Sequence, residues 1–158
     1  MKRFLRTTMV LVAVCLATTV QAADDQKLEL KDGKVKTGEG VGEELAGYDE
    51  GEGRIFFYAP AGVEFTFKVA EEGEHKLVIK ASCDAAQNEN AKFKLTVNGK
   101  EDEKETTLKN TEAEEVTVTV KLKAGENKVK IFFTNDAYKE GEYDRNMYIH
   151  AVTVKAKK

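Results

Sequence analysis

Alternation of apolar and polar residues with a period of two is the feature that most constrains the fold of this chain. It is clear at residues 63–69, which read VEFTFKV, and again at residues 116–122, which read VTVTVKL. Successive side chains of an extended strand point to opposite faces, so this pattern places the apolar residues on one side. It predicts β-strands that are buried on one face and exposed to solvent on the other.

Turn signals separate these segments at short intervals. Asn98-Gly99 is a strong signal for a two-residue hairpin loop, and Glu72-Gly73 marks another turn. No stretch has convincing helical periodicity, and strands recur every ~8–12 residues, which is typical of β-sandwiches. We therefore predict an all-β fold. It is expected to be a single-domain antiparallel β-sandwich of the jelly-roll type with roughly nine strands.

Three segments are predicted to be less regular. Residues 38–53 are rich in Gly and Glu, have almost no apolar periodicity and are predicted to form a loop. Residues 104–108 are predicted to form a short strand. In the last strand, Met147 and Ile149 share one parity whereas the later valines share the other. This change of parity predicts either a bulge or a strand that is buried on both faces.

The N-terminal residues have the organisation of a secretory signal peptide. Three basic residues precede an apolar run at 9–17 and a small-x-small cleavage site at 20–22. The apolar run is shorter than the ~20 residues that a membrane-spanning helix needs. We therefore predict a signal peptide at 1–22, a β-sandwich domain at 23–158, and a secreted or periplasmic protein.

Charge and composition exclude several classes of function. The formal net charge is −3, and removal of the predicted signal peptide would lower it to about −6. Nucleic acid and anionic membranes favour basic surfaces, so we expect neither nucleic-acid binding nor membrane insertion after signal cleavage. Neutral polysaccharides and cations carry no such penalty.

Residues suited to catalysis are sparse. Ser82 is the only serine, and the two histidines, His75 and His150, belong to no motif with a nucleophile or a zinc site. Only Cys83 remains after signal cleavage, so no intrachain disulfide is expected, and this cysteine is predicted to be a small buried hydrophobe. The chain is therefore not predicted to be an enzyme.

Oxygen-bearing side chains are concentrated in one short segment near the C-terminus. Residues 131–154 read IFFTNDAYKEGEYDRNMYIHAVTV, with apolar strand sequences on either side of an acidic loop. We expect a hairpin that places this loop at one end of the sandwich. Ca²⁺ takes ~6–8 oxygen ligands, and the flanking strands exclude an EF-hand, which requires helices. Candidate ligating groups are Asn135, Asp136, Glu140, Glu142, Asp144 and Asn146.

The same segment resembles a known family. FFTNDAY followed by GEYDRNMYI is similar to the C-terminal signature of calcium-dependent, xylan-binding carbohydrate-binding modules, which have a jelly-roll fold. The resemblance implies that Asp136 and Asp144 bind Ca²⁺ through their carboxylates and Tyr143 through its main-chain carbonyl. It also implies an exposed ion whose coordination shell is completed by vicinal sugar hydroxyls. The likeness is looser upstream, at residues 28–33 and 61–82.

Further residues are expected to contact sugar. The chain contains no Trp, which favours metal-mediated binding over a flat aromatic platform. The residues predicted to bind carbohydrate are Asn135, Tyr138, Glu140, Arg145, Asn146 and Tyr48. His150 stands where the signature has a closing Asp. Related modules pair that Asp with an acidic residue comparable to Glu29 to hold a second, structural calcium, so this replacement weakens the case for a second ion.

Three functions are compatible with these features. The leading hypothesis is a secreted, non-catalytic, calcium-dependent carbohydrate-binding module that binds xylan or a similar polysaccharide through an exposed Ca²⁺. The first alternative is a structural or adhesion β-sandwich in which Ca²⁺ rigidifies a loop and no sugar binds. The second is a small glycan-active enzyme. An open coordination position favours the leading hypothesis, whereas two convergent carboxylates in a cleft favour the enzyme.

Overall fold

The computed structural model describes residues 25–102 and 104–156 and shows an almost entirely β protein. The predicted signal peptide lies outside the described residues. Short 3₁₀ turns occur at Leu30–Asp32 and Glu43–Leu45, and no helix in the described part is long and apolar enough to cross a membrane. The strands are β1 (Gln26–Leu28), β2 (Lys34–Thr37), β3 (Ala46–Asp49), β4 (Arg54–Phe57), β5 (Ala61–Val69), β6 (Gly73–Cys83), β7 (Lys92–Val97), β8 (Lys100–Glu101), β9 (Thr106–Thr107), β10 (Glu114–Leu122), β11 (Gly125–Phe133), β12 (Ala137–Lys139), β13 (Tyr143–Arg145) and β14 (Met147–Val154).

The strands form two antiparallel sheets that enclose one core. Sheet A has the order β10-β6-β14-β4-β3, with β1 also paired to β14. Sheet B has the order β2-β5-β11-β7-β8, with β9 also paired to β7. Strands β12 and β13 form a separate two-stranded ribbon. The predicted antiparallel β-sandwich is therefore confirmed.

The core is built from the inward-facing positions of the alternating strands. In β6, every second residue from Leu77 to Cys83 is buried, as the period-two pattern predicts. Phe57 from sheet A and Phe93 and Phe133 from sheet B belong to this one core, and all three rings are fully buried. Burial of each such side chain contributes roughly 1.5–3 kcal/mol, and the free thiol of Cys83 is part of this core, as expected.

Strand β14 contains the predicted bulge. Its register against β6 shifts between Ile149 and Ala151. The extra residue at this point rotates the strand by one position, so that side chains of both parities point into the core. Met147, Ile149, Val152 and Val154 are all buried as a result.

The hairpin predicted at Asn98-Gly99 is present and joins β7 to β8. Both residues have positive φ, at 51° and 83°. These values match the type I′ turn that the Asn-Gly pair favours.

Two expectations about the chain path were wrong, and one predicted strand is shorter than expected. Residues 38–53 are not all loop, because Ala46–Asp49 pairs with β4 as an edge strand. Its inward positions are the small Ala46 and the partly buried Tyr48, so it leaves little apolar pattern in the sequence. The short strand predicted at 104–108 is present, but it is limited to the two residues of β9. Strands β11 and β14 do not form a hairpin, because one lies in each sheet and the acidic loop crosses between them.

Candidate functional site

The acidic loop, residues 134–146, crosses between the sheets at one end of the sandwich. It leaves β11 in sheet B after Phe133 and enters β14 in sheet A at Met147. Between these points β12 and β13 pair as a ribbon, whose tip includes Gly141 at a φ of 72°. A positive φ is adopted at little cost by Gly, which explains the sharp reversal. The ribbon thus positions the loop side chains on a defined backbone.

Asp136 is the most electrostatically strained carboxylate of the loop. Its Oδ1 atom is buried and accepts no hydrogen bond among the described residues. Burial, and then the negative charge of Asp144, raise the pKa of the Asp136 carboxyl above its usual range. The main-chain N–H of Ala137 and the charge of Arg145 oppose this shift without cancelling it. A cation beside Asp136 would coordinate the Oδ1 atom that lacks a donor and would offset the repulsion from Asp144.

Asn146 supplies a second buried oxygen without a donor. It directly follows β13, just as Asp136 directly precedes β12. Its Nδ2 donates to Oδ2 of Asp84 at 3.0 Å, whereas its Oδ1 has no partner in the described part of the chain. Buried acceptors in native proteins are normally satisfied, so two unsatisfied oxygens on one loop suggest a bound group.

The donors fit a hard cation better than a transition metal. Within the described residues, no group of three or more His, Cys, Asp and Glu side chains is arranged to hold a metal. Ca²⁺ does not require such a cluster, because it also accepts main-chain carbonyls, amide oxygens, hydroxyls and water. Asp136 and the exposed Asp144 provide the negative charge that such a shell needs.

The buried side chain of Arg145 fixes the position of the loop. Its side chain is only 3% exposed and donates hydrogen bonds to the main-chain oxygens of Ala86, Glu89 and Asn135. Its Nη2 is also 3.7 Å from a carboxylate oxygen of Glu89. The acidic loop is thereby joined to the turn at 86–89.

Asn135 makes a second connection to the same region. Its Oδ1 accepts the main-chain N–H of Lys92 at 2.6 Å, and its Nδ2 donates to the main-chain oxygen of Asn90 at 3.0 Å. Both ends of this amide are therefore occupied by the protein. In the structure Asn135 and Arg145 orient the loop, and a direct contact of either with sugar stays a prediction.

The other predicted sugar contacts differ in accessibility. Tyr138 is 65% exposed, and Glu140 is exposed at the tip of the ribbon. Tyr143 is half-buried, and its hydroxyl accepts a hydrogen bond from the Gln87 amide at 2.9 Å. Tyr48 lies on β3 and packs against the core, so its ring is not on the acidic loop.

The turn at 86–89 was not identified from the sequence. Ala86 and Glu89 pair across it, and Gln87 and Asn88 both have positive φ, at 55° and 60°. Positive φ is uncommon for residues other than Gly, although Asn tolerates it. The sequence indicates only a polar loop here, because nothing local links this turn to a segment about fifty residues later.

Comparisons with solved structures support the fold. A family 35 carbohydrate-binding module from Clostridium thermocellum is 15% identical, with a TM-score of 0.59 and coverage of 84% of this chain and 98% of the other. A family 36 domain of a multidomain xylanase from the hindgut metagenome of Trinervitermes trinervoides is 14% identical, with a TM-score of 0.62 and coverage of 85% and 99%. A family 36 module solved in complex with calcium and xylotriose is 16% identical, with a TM-score of 0.58 and coverage of 84% and 99%.

Comparison with sequences gives the family. A search of curated proteins yields no significant match. Residues 76–158 match the profile of family CBM60, which is described as a Ca-dependent, xylan-binding carbohydrate-binding module. The match runs from β6 through the acidic loop and covers more than half of the chain. The chain therefore belongs to the CBM60 family of carbohydrate-binding modules.

Proposed function

We propose that this protein is a secreted, non-catalytic module that binds xylan or a similar polysaccharide through a Ca²⁺ ion held on the acidic loop. The observation that carries the proposal is the buried Oδ1 of Asp136, which lacks a donor and is repelled by Asp144. Such an arrangement is unfavourable without a cation. It occurs within the segment that matches the CBM60 family.

The ion would be held by the carboxylates of Asp136 and Asp144 and by the main-chain carbonyl of Tyr143. We add the unsatisfied Oδ1 of Asn146 as a further oxygen donor. When bound, Ca²⁺ would supply a positive centre that accepts two neighbouring sugar hydroxyls in place of water. Arg145 and Asn135 keep the loop in position, because their hydrogen bonds fix it to the turn at 86–89 and the start of β7.

Exposure distinguishes this proposal from a purely structural calcium site. Asp144 and Glu140 are exposed, and the Tyr138 ring projects into solvent beside Asp144, its register partner in the ribbon. A loop that only needed rigidity would be expected to enclose its ion with protein oxygens. The open ribbon leaves room for a polysaccharide, against which Tyr138 can pack one ring face.

The test is xylan binding by isothermal titration with and without Ca²⁺. Wild-type protein is expected to bind in Ca²⁺ and to lose binding in EGTA. Asp136→Asn and Asp144→Asn should abolish binding in Ca²⁺ while leaving the circular dichroism spectrum unchanged. Glu142→Gln is the matched control, since it removes a loop carboxylate whose partner is the exposed Lys139. Undiminished binding by either Asp variant, or by wild type in EGTA, would contradict the proposal.

A further inference from the structure

A second polar and aromatic surface lies on the outer face of sheet A. In β4, Arg54 and Phe56 alternate with the buried Ile55 and Phe57 and therefore point outward. Tyr148 lies directly opposite Phe56 on β14 and also points outward. We refer to the outward side chains of Arg54, Phe56, Tyr58, Tyr148 and His150 as the Arg54 face.

Arg54 is held by stacking. Its Cζ atom lies 4.2 Å from the centroid of the Tyr148 ring, which is within the range of a cation–π contact. The Tyr148 hydroxyl in turn donates to Oδ2 of Asp84 at 2.7 Å. The ring is thereby fixed from its far end, and the guanidinium is presented on a rigid support.

The charge of Arg54 has no anionic partner in the described part of the chain. Its Nε is buried and makes no hydrogen bond there. Asp49 is opposite Arg54 in the strand register, but its Oδ1 accepts the main-chain N–H groups of Gly51 and Glu52, at 2.9 and 3.1 Å. Guanidinium groups in half-buried positions are usually paired. The terminal nitrogens of Arg54 are therefore available to an external acceptor.

Lys80 is a second cation that adds to the positive potential of the Arg54 face. Nε2 of His150 and Oγ of Ser82 are 2.8 Å apart and hydrogen bonded. Burial, and then the charges of Arg54 and Lys80, lower the pKa of His150 below its usual range. The charges of Arg54 and Lys80 therefore both act at the position of His150. In an otherwise acidic protein, this makes the Arg54 face complementary to an anion.

The neighbouring rings favour a sugar as the carrier of that anion. The rings of Phe56 and Tyr58 pack against each other at a tilt of 34° with centroids 4.7 Å apart, and Tyr58 is 39% exposed. An aromatic surface packs against the C–H groups of a sugar, while a guanidinium binds a carboxylate through two parallel N–H groups. A sugar that bears a carboxylate satisfies both requirements.

We propose that the Arg54 face is a second subsite that binds the carboxylate of a uronic acid carried by the polysaccharide. The inference rests on the proposed binding of the polysaccharide main chain at the acidic loop. The two sites are connected, because Asp84 accepts hydrogen bonds from both Asn146 of the loop and Tyr148 of the face. Tyr148 is two residues beyond Asn146 along the chain, a step of about 7 Å in a strand.

The test compares three ligands of equal main-chain length by isothermal titration in Ca²⁺. They are an unsubstituted xylo-oligosaccharide, the same oligosaccharide with one glucuronic acid branch, and its carboxyl-reduced form. The wild-type protein is expected to bind the acidic ligand about ten-fold more tightly than the other two. This preference should shrink when NaCl is raised, because salt screens charge–charge attraction.

Arg54→Gln should remove the preference and leave affinity for the unsubstituted ligand unchanged. Lys80→Gln is the matched control, since it removes one positive charge from the same sheet face but keeps the guanidinium, and it should keep most of the preference. Thermal unfolding confirms that each variant is folded. The comparison of the three ligands on the wild-type protein tests the inference even if a variant does not fold. Equal wild-type binding of all three ligands, or a preference that survives Arg54→Gln, would overturn this inference alone. Failure of every ligand to bind would instead overturn the proposed function, and the inference with it.

Discussion

At the scale of single residues, opposing influences on Asp136 decide the character of the loop. Desolvation is the largest of them and disfavours the charged carboxylate. The charge of Arg145 opposes this effect, but its N–H groups are already committed to main-chain oxygens. Among the described residues the carboxylate therefore has no dedicated cationic partner, and a bound cation is the simplest way to keep it ionised.

His150 gives a second test at this scale. Because its pKa in the folded protein is below the ordinary value of about 6.5, the unfolded chain takes up a proton first as the pH falls. The free energy of unfolding should therefore decrease below pH ~6.5. His150→Gln, which retains a hydrogen-bonding group for Ser82, should reduce this loss. Urea denaturation of both proteins at pH ~7.5, ~6.5 and ~5.5 measures it.

The difference between the two proteins is the informative quantity. The raised pKa of Asp136 acts in the opposite direction, since it favours the folded state as the pH falls. Subtracting the two stability curves removes this common contribution, provided that the sites are independent. Parallel curves for wild type and His150→Gln would show that His150 does not carry the effect.

At the residue scale, the concentration of oxygen-bearing side chains at 135–146 suggested a cation site, and the family resemblance singled out Asp136 and Asp144. The structure brings these two carboxylates close enough for Asp144 to raise the pKa of Asp136, and their binding of Ca²⁺ stays a prediction. Arg54 was not identified, because its neighbours Tyr148 and His150 are almost a hundred residues away in the chain. The contact between Arg54 and the Tyr148 ring arises from the pairing of β4 with β14, so it leaves no local pattern in the sequence.

At the scale of structural elements, the buried side chain of Arg145 links the acidic loop to the turn at 86–89. Arg145 lies in β13 and donates to three main-chain oxygens, of which those of Ala86 and Glu89 also accept each other's main-chain N–H groups. Hydrogen bonds to a charged donor contribute about 1.5–3 kcal/mol each. Arg145 therefore sets the position of the ribbon relative to the turn at 86–89 together with the hydrogen bond between Gln87 and Tyr143.

Arg145→Lys tests that dependence. Lysine retains the charge but lacks the planar fork, so it cannot reach all three carbonyls. We expect a loss of about 2–4 kcal/mol in the free energy of unfolding and roughly ten-fold weaker Ca²⁺ binding. Urea denaturation and calorimetric Ca²⁺ titration measure the two effects.

Lys139→Gln in the same ribbon is the control for this experiment. Lys139 and Glu142 are both more than half exposed, and such surface ion pairs contribute about 0–1 kcal/mol. Its stability and Ca²⁺ affinity should remain close to those of wild type. Equal effects of the two substitutions would argue against a special role for Arg145.

The elements that were predicted correctly are those with a strong local signal. The Asn98-Gly99 hairpin and the bulge in β14 follow from turn chemistry and from a change in parity. Strand β3 was missed because it is only four residues long and its inward positions are Ala46 and Tyr48, which give little apolar pattern. The crossing of the acidic loop between sheets was also missed, since a hairpin and a crossover produce the same strand–loop–strand pattern.

At the scale of the whole molecule, the core and the acidic loop are separable. The core contains fully buried side chains from both sheets, whereas the candidate ligands Asp136 and Asp144 are outside it. A domain of this size can bury enough apolar surface to fold without a disulfide. Removal of a cation should therefore lower stability without unfolding the sandwich.

This separation leads to a prediction about Ca²⁺ and thermal stability. Ligand at about 100 times its dissociation constant stabilises a folded protein by about 2.7 kcal/mol, which corresponds to a rise of roughly 5–10 °C in Tm for a domain of this size. Ca²⁺ should produce this rise in protein pretreated with EGTA, and the EGTA-treated protein should still melt cooperatively.

Mg²⁺ should have a smaller effect, because it requires a compact octahedral shell that an open loop with few carboxylates does not provide. Asp136→Asn should melt at the same temperature with and without Ca²⁺. Calorimetric scans of both proteins in Ca²⁺, Mg²⁺ and EGTA decide the matter, and equal shifts from the two cations, or a Ca²⁺ shift that persists in Asp136→Asn, would show that Asp136 is not part of a calcium site.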